Sequence, residues 1–315
     1  MKTHALVDPD YLAYAQPPGE PWTQEALPAI RDRLRAGYPS PAFPGYDPVA
    51  IPGPSLGISL QLCVYRPESK LHTNRPAILY LHGGGFVVGD TAMVDDYLTE
   101  LAQALGAVVV GVDYRLAPET PFPGPLEDCY AGLEWLFKQA DTLQVDRHRV
   151  LVMGHSAGGG LAAALALLAR DRGRYPLAGQ MLIYPMLDYR TGTAEAPLSN
   201  SSTGEFYWTA EDNQFAWKCM QGAYELSASQ MGYFSPALAD DLSGLPTTFM
   251  AVGALDLFLE EDVQYGMRLS RAGVPLELHV YPGVFHGFDR FPGQRSDTCR
   301  ADISAALKRM LKVSL

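Results

Sequence analysis

The sequence has few cysteines and no cluster of basic residues. The four cysteines, Cys63, Cys129, Cys219 and Cys299, lie far apart, without a C-x-x-C pair and without the histidine spacing of a zinc site. We therefore expect reduced, independent thiols and no bound metal. The 24 Lys and Arg against 35 Asp and Glu give a net charge of −11, which disfavours nucleic acid and anionic membranes as partners.

The sequence also lacks a segment typical of a signal peptide or of a membrane span. The N-terminal stretch carries Asp8 and Asp10 and has no continuous apolar region. The most apolar run, "VLVMGHSAGGGLAAALALLAR" (150–170), is long enough to cross a bilayer, but glycines and polar residues interrupt its middle. We therefore expect no stable membrane insertion and a cytoplasmic protein, whose hydrophobic content of 47% is ample for a buried core.

Short apolar runs alternate with helical stretches along the middle of the chain. That order predicts an α/β fold with a mostly parallel central sheet of about eight strands and helices on both faces. Seven runs are predicted as strands: 58–65, 77–82, 107–114, 150–153, 181–185, 247–252 and 276–282. Five stretches are predicted as helices: 95–105, 126–139, 157–170, 261–272 and 298–311.

Two segments interrupt this alternation: the proline-rich first 45 residues, and residues 188–233. The second segment separates two strands by more than a helix-sized crossover needs, which indicates a mobile or functional insertion. Its later part is rich in aromatic residues, has a helical period and contains Trp208 and Trp217.

Residues 154–158, "GHSAG", match G-x-S-x-G, the nucleophile elbow that exposes a serine on a strained turn between a strand and a helix. The motif is short enough to occur by chance. Here a predicted strand precedes it and a predicted helix follows it, which is the context that the elbow requires. The sequence therefore predicts Ser156 as a nucleophile.

A serine nucleophile needs a base, and the base needs a carboxylate to orient it. Among the histidines only His279 and His286 follow the elbow, as the order Ser, acid, His requires. His279 lies inside a predicted strand, so we predict His286, which follows that strand, as the base. Asp256 is the preferred acid because it follows the preceding strand; Asp188 is the alternative, and capping would be its structural role.

The run "HGGGF" (82–86) follows a predicted strand and can supply an oxyanion hole. Its glycines let main-chain N–H groups turn toward a bound oxygen without obstruction by side chains. We predict the N–H groups of Gly84, Gly85 and Ala157 as the donors, and a structural role in the loop for His82.

With these motifs in place, the chain resembles the hormone-sensitive lipase family of α/β-hydrolases, the bacterial family IV esterases. The shared motifs are "HGGGF" (82–86), "DYRLAPE" (113–119), "GHSAGG" (154–159), "GALD" (253–256) and "FHGF" (285–288). The resemblance implies carboxylesterase activity on short acyl chains, no cofactor, and a helical cap. It predicts a core of residues 46–187 and 234–315, with a cap of residues 1–45 and 188–233.

The chain departs from the family at His155, where the commonest elbow has an aspartate. His155 is also an alternative base, disfavoured because adjacent residues on a tight turn point in different directions. In the loop after the fourth strand, Arg115 and Glu119 are predicted to form an ion pair.

The predicted function is hydrolysis of small-molecule esters with short to medium acyl chains, through a Ser-His-Asp triad and an acyl-enzyme. Phe86, Trp208 and Trp217 are the predicted substrate contacts, with no cofactor and no metal. An amidase or deacetylase with the same triad is the alternative, followed by a catalytically silent ligand-binding protein. The oligomeric state, including a homodimer, stays open.

Overall fold

A twisted sheet of eight strands forms the centre of the fold, in a computed structural model that describes residues 2–38, 44–68 and 74–313. The strands are β1 (Asp47–Pro52), β2 (Ser59–Tyr65), β3 (Arg75–Leu81), β4 (Val108–Asp113), β5 (Val145–His155), β6 (Gly179–Ile183), β7 (Thr247–Gly253) and β8 (Leu276–Tyr281). All seven predicted strands are present, and the predicted α/β fold class is confirmed.

The strand order is β1-β2-β4-β3-β5-β6-β7-β8. The β1–β2 and β2–β4 pairs are antiparallel, and the pairs among β3 to β8 are parallel. The carboxyl ends of six strands therefore meet at one edge of the sheet, which is where open α/β sheets build their sites.

Strand β1 is absent from the seven predicted strands because Pro48 and Pro52 interrupt its pattern. A proline removes a ladder hydrogen bond, so it is tolerated on an edge strand, where one side makes no ladder. β1 occupies that position, since it pairs only with β2.

Eight α-helices accompany the sheet in the described residues: α1 (Leu27–Gly37), α2 (Asp95–Leu105), α3 (Gly124–Lys138), α4 (Ala157–Arg172), α5 (Ala210–Gln221), α6 (Met231–Phe234), α7 (Leu259–Arg271) and α8 (Gln294–Met310). The five predicted helices correspond to α2, α3, α4, α7 and α8, with ends that differ by a few residues. Helix α1 was not among them.

The apolar run at 150–170 consists of the end of β5 and most of α4. Helix α4 packs against β5, β6 and α3, and its residues 157–169 are all buried. Its uniform apolar character follows from burial on every side. Within the described ranges, no helix combines the length and hydropathy needed to cross a membrane.

The two segments that interrupt the alternation contact each other and the loop after β3. Leu27 and Ile30 of α1 form a small apolar cluster with Val87, Val88 and Cys219 of α5. The ring of Trp22 meets Trp208 edge to face at 5.3 Å. Residues 1 and 39–43 of the first predicted cap segment, and residues 69–73 and 314–315 of the predicted core, lie outside the described residues.

Candidate active site

Ser156 lies on the sharp turn between β5, which ends at His155, and α4, which begins at Ala157. Its backbone has φ 56° and ψ −124°, a strained conformation for a residue with a Cβ. The surroundings hold it there: its N–H donates to the Ile183 carbonyl at 2.9 Å, and its carbonyl accepts from Gly160 and Met186. The turn has the strained geometry expected of a nucleophile elbow.

Ser156, His286 and Asp256 form one chain of hydrogen bonds. His286 Nε2 lies 2.9 Å from Ser156 Oγ, and His286 Nδ1 lies 2.8 Å from Asp256 Oδ2. The other carboxylate oxygen of Asp256 accepts from the Phe258 N–H at 3.0 Å. Asp256 is fully buried and the other two side chains are nearly so, which suits a serine, a base and an orienting carboxylate.

The alternative acid and base have other partners. Asp188 holds the guanidinium of Arg190 at 2.9 and 2.7 Å and accepts from the Arg190 backbone N–H at 3.0 Å, which is the capping role considered for it. His279 lies on β8, with Nε2 2.8 Å from Glu277 Oε1. The structure gives neither residue a hydrogen bond to Ser156.

The glycine loop after β3 has the backbone that an oxyanion hole requires. Gly84 and Gly85 both have positive φ, 120° and 58°. A Cβ at Gly84 would lie 2.1 Å from the Val88 carbonyl oxygen, and one at Gly85 would lie 2.6 Å from the Trp208 ring. No described residue accepts a backbone hydrogen bond from the N–H groups of Gly84, Gly85 or Ala157, so they are available to a ligand oxygen.

The predicted substrate contacts are buried against one another and against the site. Trp208 lies with its ring centre 6.3 Å from that of His286, and its Nε1–H donates to Asn213 Oδ1 at 3.2 Å. Phe86 packs on Trp217 at 5.2 Å, and Trp217 packs on Phe234 at 5.1 Å. Trp208 is thus the residue of the three that contacts both the histidine and the glycine loop.

His155 points away from the nucleophile. Its Nδ1 lies 3.0 Å from the hydroxyl of Tyr80, and its Nε2 lies 3.6 Å from Asp289 Oδ2. Burial lowers the pKa of His155 from 6.5 to about 4, against the opposing charge of Asp289. The imidazole is therefore neutral at pH 7, and neither nitrogen bonds Ser156, so the structure does not support His155 as the base.

Sequence reasoning missed Tyr184 and Asp289, which connect His155 to His286. Tyr184 follows β6 with φ 38°, and its ring meets His286 edge to face at 4.8 Å. Its hydroxyl donates to Asp289 Oδ1 at 2.7 Å. Both residues follow carboxyl ends of parallel strands, so the rule that placed the triad could have found them.

The predicted Arg115–Glu119 ion pair is wrong. Arg115 binds Asp128 through two nitrogens at 2.8 and 2.7 Å. Glu119 instead receives the guanidinium of Arg31, at 2.7 and 2.9 Å. The actual partners lie outside the motif: Asp128 is on the following helix, α3, and Arg31 is on α1, 88 residues before Glu119. Reading the motif alone does not reveal either partner. His82, by contrast, has the expected loop contact, with Nδ1 2.8 Å from the Gly83 carbonyl oxygen.

Comparison with known proteins assigns the chain to a family. Residues 78–290 match the family described as having the α/β-hydrolase fold. The chain belongs to that family. Across the described ranges, no group of three or more His, Cys, Asp or Glu side chains is arranged to hold a metal ion.

Several proteins named as esterases or as an ester hydrolase are similar to the chain over most of its length. The esterase LipI of Mycobacterium tuberculosis is 33% identical over 85% of this chain and 83% of its own. The ethyl acetate hydrolase of Pseudomonas putida is 36% identical over 74% and 73%. A solved structure of a bacterial heroin esterase superposes with a TM-score of 0.87 at 33% identity, covering 98% of this chain and 99% of that one. The resemblance to the hormone-sensitive lipase family is confirmed.

Proposed function

We propose that this α/β-hydrolase is a carboxylic ester hydrolase that acts through a covalent acyl-enzyme on Ser156. The observation that carries the proposal is the hydrogen-bonded series Ser156, His286 and Asp256 on the strained elbow. The relatives named as esterases support the same reaction class.

In the first step Ser156 Oγ attacks the ester carbonyl while His286 Nε2 takes its proton. Asp256 Oδ2 holds the Nδ1–H and stabilises the imidazolium that forms. The tetrahedral intermediate collapses, and His286 gives its proton to the departing alcohol. A water molecule then attacks the acyl-serine by the same route and releases the carboxylic acid.

The negative charge of each tetrahedral intermediate rests on the N–H groups of Gly84, Gly85 and Ala157. Ala157 is the first residue of α4, so the positive end of the helix dipole adds to its N–H. Donors that are already oriented stabilise the transition state without reorganising.

Residues 1–45 and 188–233 form the cap of this enzyme in our proposal, over a core of residues 46–187 and 234–315. Phe86, Trp208 and Trp217 then contribute the apolar wall of the acyl site. A wall of this kind favours short to medium acyl chains over long ones, because the space that buried aromatic rings leave is limited.

The triad is tested by comparing three variants in steady-state kinetics with p-nitrophenyl butyrate. Ser156→Ala should lower kcat about 10⁶-fold and Asp256→Asn about 10⁴-fold. Asp188→Asn is the matched control, since that carboxylate binds Arg190 and not His286, and it should change kcat by less than threefold. Ser156→Ala with most of the activity retained would contradict the mechanism.

A fluorophosphonate probe and a substrate series separate the other functions. Labelling of the wild type but not of Ser156→Ala is expected, and an unlabelled wild type would point to a silent binding protein. A p-nitrophenyl series from acetate to palmitate should reach its highest kcat/KM at short to medium chains. Faster cleavage of a matched anilide than of its ester would show an amidase.

A further inference from the structure

Tyr184 follows β6 at the carboxyl edge of the sheet and has an unusual backbone conformation. Its φ of 38° lies outside the range that residues with a side chain normally adopt. The Tyr184 N–H donates to the Ala251 carbonyl of β7 at 2.6 Å, and the side chain is buried. A strained residue persists only where its surroundings hold it firmly, and such residues cluster at functional sites. The corner after β6 is therefore a candidate for a role in the site.

The backbone of this corner holds the nucleophile turn through two hydrogen bonds. The carbonyl of Ile183, the residue before Tyr184, accepts from the Ser156 N–H at 2.9 Å. The N–H of Met186, two residues after Tyr184, donates to the Ser156 carbonyl at 3.1 Å. Both polar groups of the Ser156 backbone are thus bonded to the segment that contains Tyr184, which fixes the nucleophile relative to this tyrosine.

The side chain of Tyr184 contacts the loop of the base at two points. Its ring meets the His286 imidazole edge to face at 4.8 Å, and its hydroxyl donates to Asp289 Oδ1 at 2.7 Å. Gly287, which lies between these two residues, has φ 72°. Glycine allows the backbone more conformations than other residues do, so a bond to the residue beyond it restrains the turn that carries the imidazole.

Two other rings lie near the imidazole of His286, but they are tied to other parts of the site. Phe258 meets it edge to face at 5.1 Å, and its backbone N–H donates to Asp256. Trp208 lies at 6.3 Å, and its Nε1–H donates to Asn213. Of the three rings, Tyr184 is therefore the one whose polar group is bonded to the loop of His286 itself.

We propose that Tyr184 is a positioning residue that keeps the imidazole of His286 at hydrogen-bond distance from Ser156. It can do so because its backbone neighbours hold Ser156 while its side chain holds the loop of His286. The proposal deepens the esterase function proposed above and rests on it. A general base works only within about 2.6–3.2 Å of the group whose proton it takes, and Nε2 lies 2.9 Å from Ser156 Oγ. A small displacement of the loop should therefore slow the reaction.

The test compares Tyr184→Phe with Tyr281→Phe in the hydrolysis of p-nitrophenyl butyrate, with kcat expressed per fluorophosphonate-reactive site. Tyr184→Phe keeps the ring and removes the bond to Asp289, so kcat should fall about tenfold while KM changes by less than about twofold. Tyr281 is the matched control: its buried ring packs on Phe288, and its hydroxyl donates to Asp302 Oδ2 at the same 2.7 Å. Tyr281→Phe should keep kcat within about twofold of the wild type.

Changes to the acceptor of this bond give an independent measurement. Asp289→Ala should lower kcat by the same factor as Tyr184→Phe, and the double variant should lose no more than either, since all three lack the same bond. Asp289→Asn keeps an oxygen that accepts from the Tyr184 hydroxyl and should restore most of the activity. Losses that multiply in the double variant would contradict the proposal. A kcat of Tyr184→Phe equal to that of the wild type or of Tyr281→Phe would overturn it.

The proton resonance of the His286 Nδ1–H separates positioning from catalysis. This N–H donates to Asp256 Oδ2 at 2.8 Å, so its resonance should appear at low field and be absent from His286→Gln. In Tyr184→Phe it should shift and broaden relative to the wild type and to Tyr281→Phe, because the imidazole is held less firmly. If the wild type hydrolyses no ester but this change occurs, the proposed function fails and the positioning role stands. An unchanged resonance in Tyr184→Phe would refute the positioning role even in an active esterase.

Discussion

Acidification should destabilise the protein through His155 in particular. In the folded state burial lowers the pKa of His155 from 6.5 to about 4. Between these two pH values the unfolded chain binds a proton that the folded chain does not. The contribution of His155 to stability is therefore complete above pH 6.5 and is lost as the pH falls toward 4.

The size of the effect follows from the two pKa values. Proton linkage with 6.5 for the unfolded chain and about 4 for the folded protein gives a loss of about 2 kcal/mol between pH 8 and pH 5, and about 3 kcal/mol by pH 4. His155 is 8% exposed, so solvent screening does not reduce the effect much. Such a loss is a sizeable part of the 5–15 kcal/mol that typically stabilises a folded protein.

The measurement is urea unfolding at pH 8, 6 and 5, with the wild type compared against His155→Phe combined with Tyr80→Phe. Carboxylates that titrate in this range are common to both proteins, so their contribution cancels in the difference. The double variant should lose about 2 kcal/mol less than the wild type between pH 8 and pH 5. His148→Gln, which removes an exposed histidine, should follow the wild type. Parallel losses in the wild type and the double variant would refute the assignment of a depressed pKa to His155.

Three further changes test the packing around the site. Burial raises the pKa of Asp262 well above its usual value, and among the described residues neither of its carboxylate oxygens has a hydrogen-bond partner. The wild type therefore loses stability as the pH rises above about 4. In urea unfolding, the free energy of unfolding of Asp262→Asn relative to the wild type should rise by up to about 1.4 kcal/mol per pH unit. Asp297→Asn, which changes an exposed aspartate, should show no such trend. Gly85→Ala should lower kcat about 10²-fold, because the new Cβ would collide with the Trp208 ring. The control is Gly57→Ala, where φ is also positive but no atom lies within 4 Å of the new Cβ, so only backbone strain is added. Equal kcat values for the two variants would contradict this. Arg31→Gln removes bonds to the Val87 and Ala117 carbonyls and to Glu119, so thermal unfolding should show about 2 kcal/mol of lost stability, while Arg35→Gln on the exposed side of α1 should show none.

The parts of the site that follow from general rules were predictable from the sequence. The elbow requires a strand, a tight turn of small residues and a helix, and residues 150–170 contain all three. Parallel strands bring their carboxyl ends to one edge, so the residues after β5, β7 and β8 could be expected to meet. The structure brings Ser156, Asp256 and His286 within hydrogen-bond distance there. Their catalytic roles stay a prediction until the variants are measured.

The parts that depend on long-range partners were not predictable in the same way. Arg115 lies four residues from Glu119, but the helix α3 acid Asp128 faces it, and Glu119 is left for Arg31 of α1. Nothing local to the motif specifies α1, because Arg31 lies 88 residues before Glu119 in the sequence. Strand β1 was missed for a related reason: the cost of its prolines depends on whether a second neighbour is present, which only the sheet order decides.

His155 shows where local reasoning could have gone one step further. Side chains alternate between the two faces of a strand, so His155 must share a face with Met153 and Leu151 while Val152 and Val150 point to the other. In the structure Leu151 and Met153 belong to the core cluster that contains Tyr80 and Tyr184, and Val150 and Val152 to the cluster on the opposite face. The side chain at 155 therefore lies on the face of the sheet that carries Tyr80 and Tyr184, whatever its chemistry, while Ser156 lies on the turn. This separation explains how a histidine can replace the expected aspartate without disturbing the nucleophile, and why its consequence should appear in acid stability instead of in the triad.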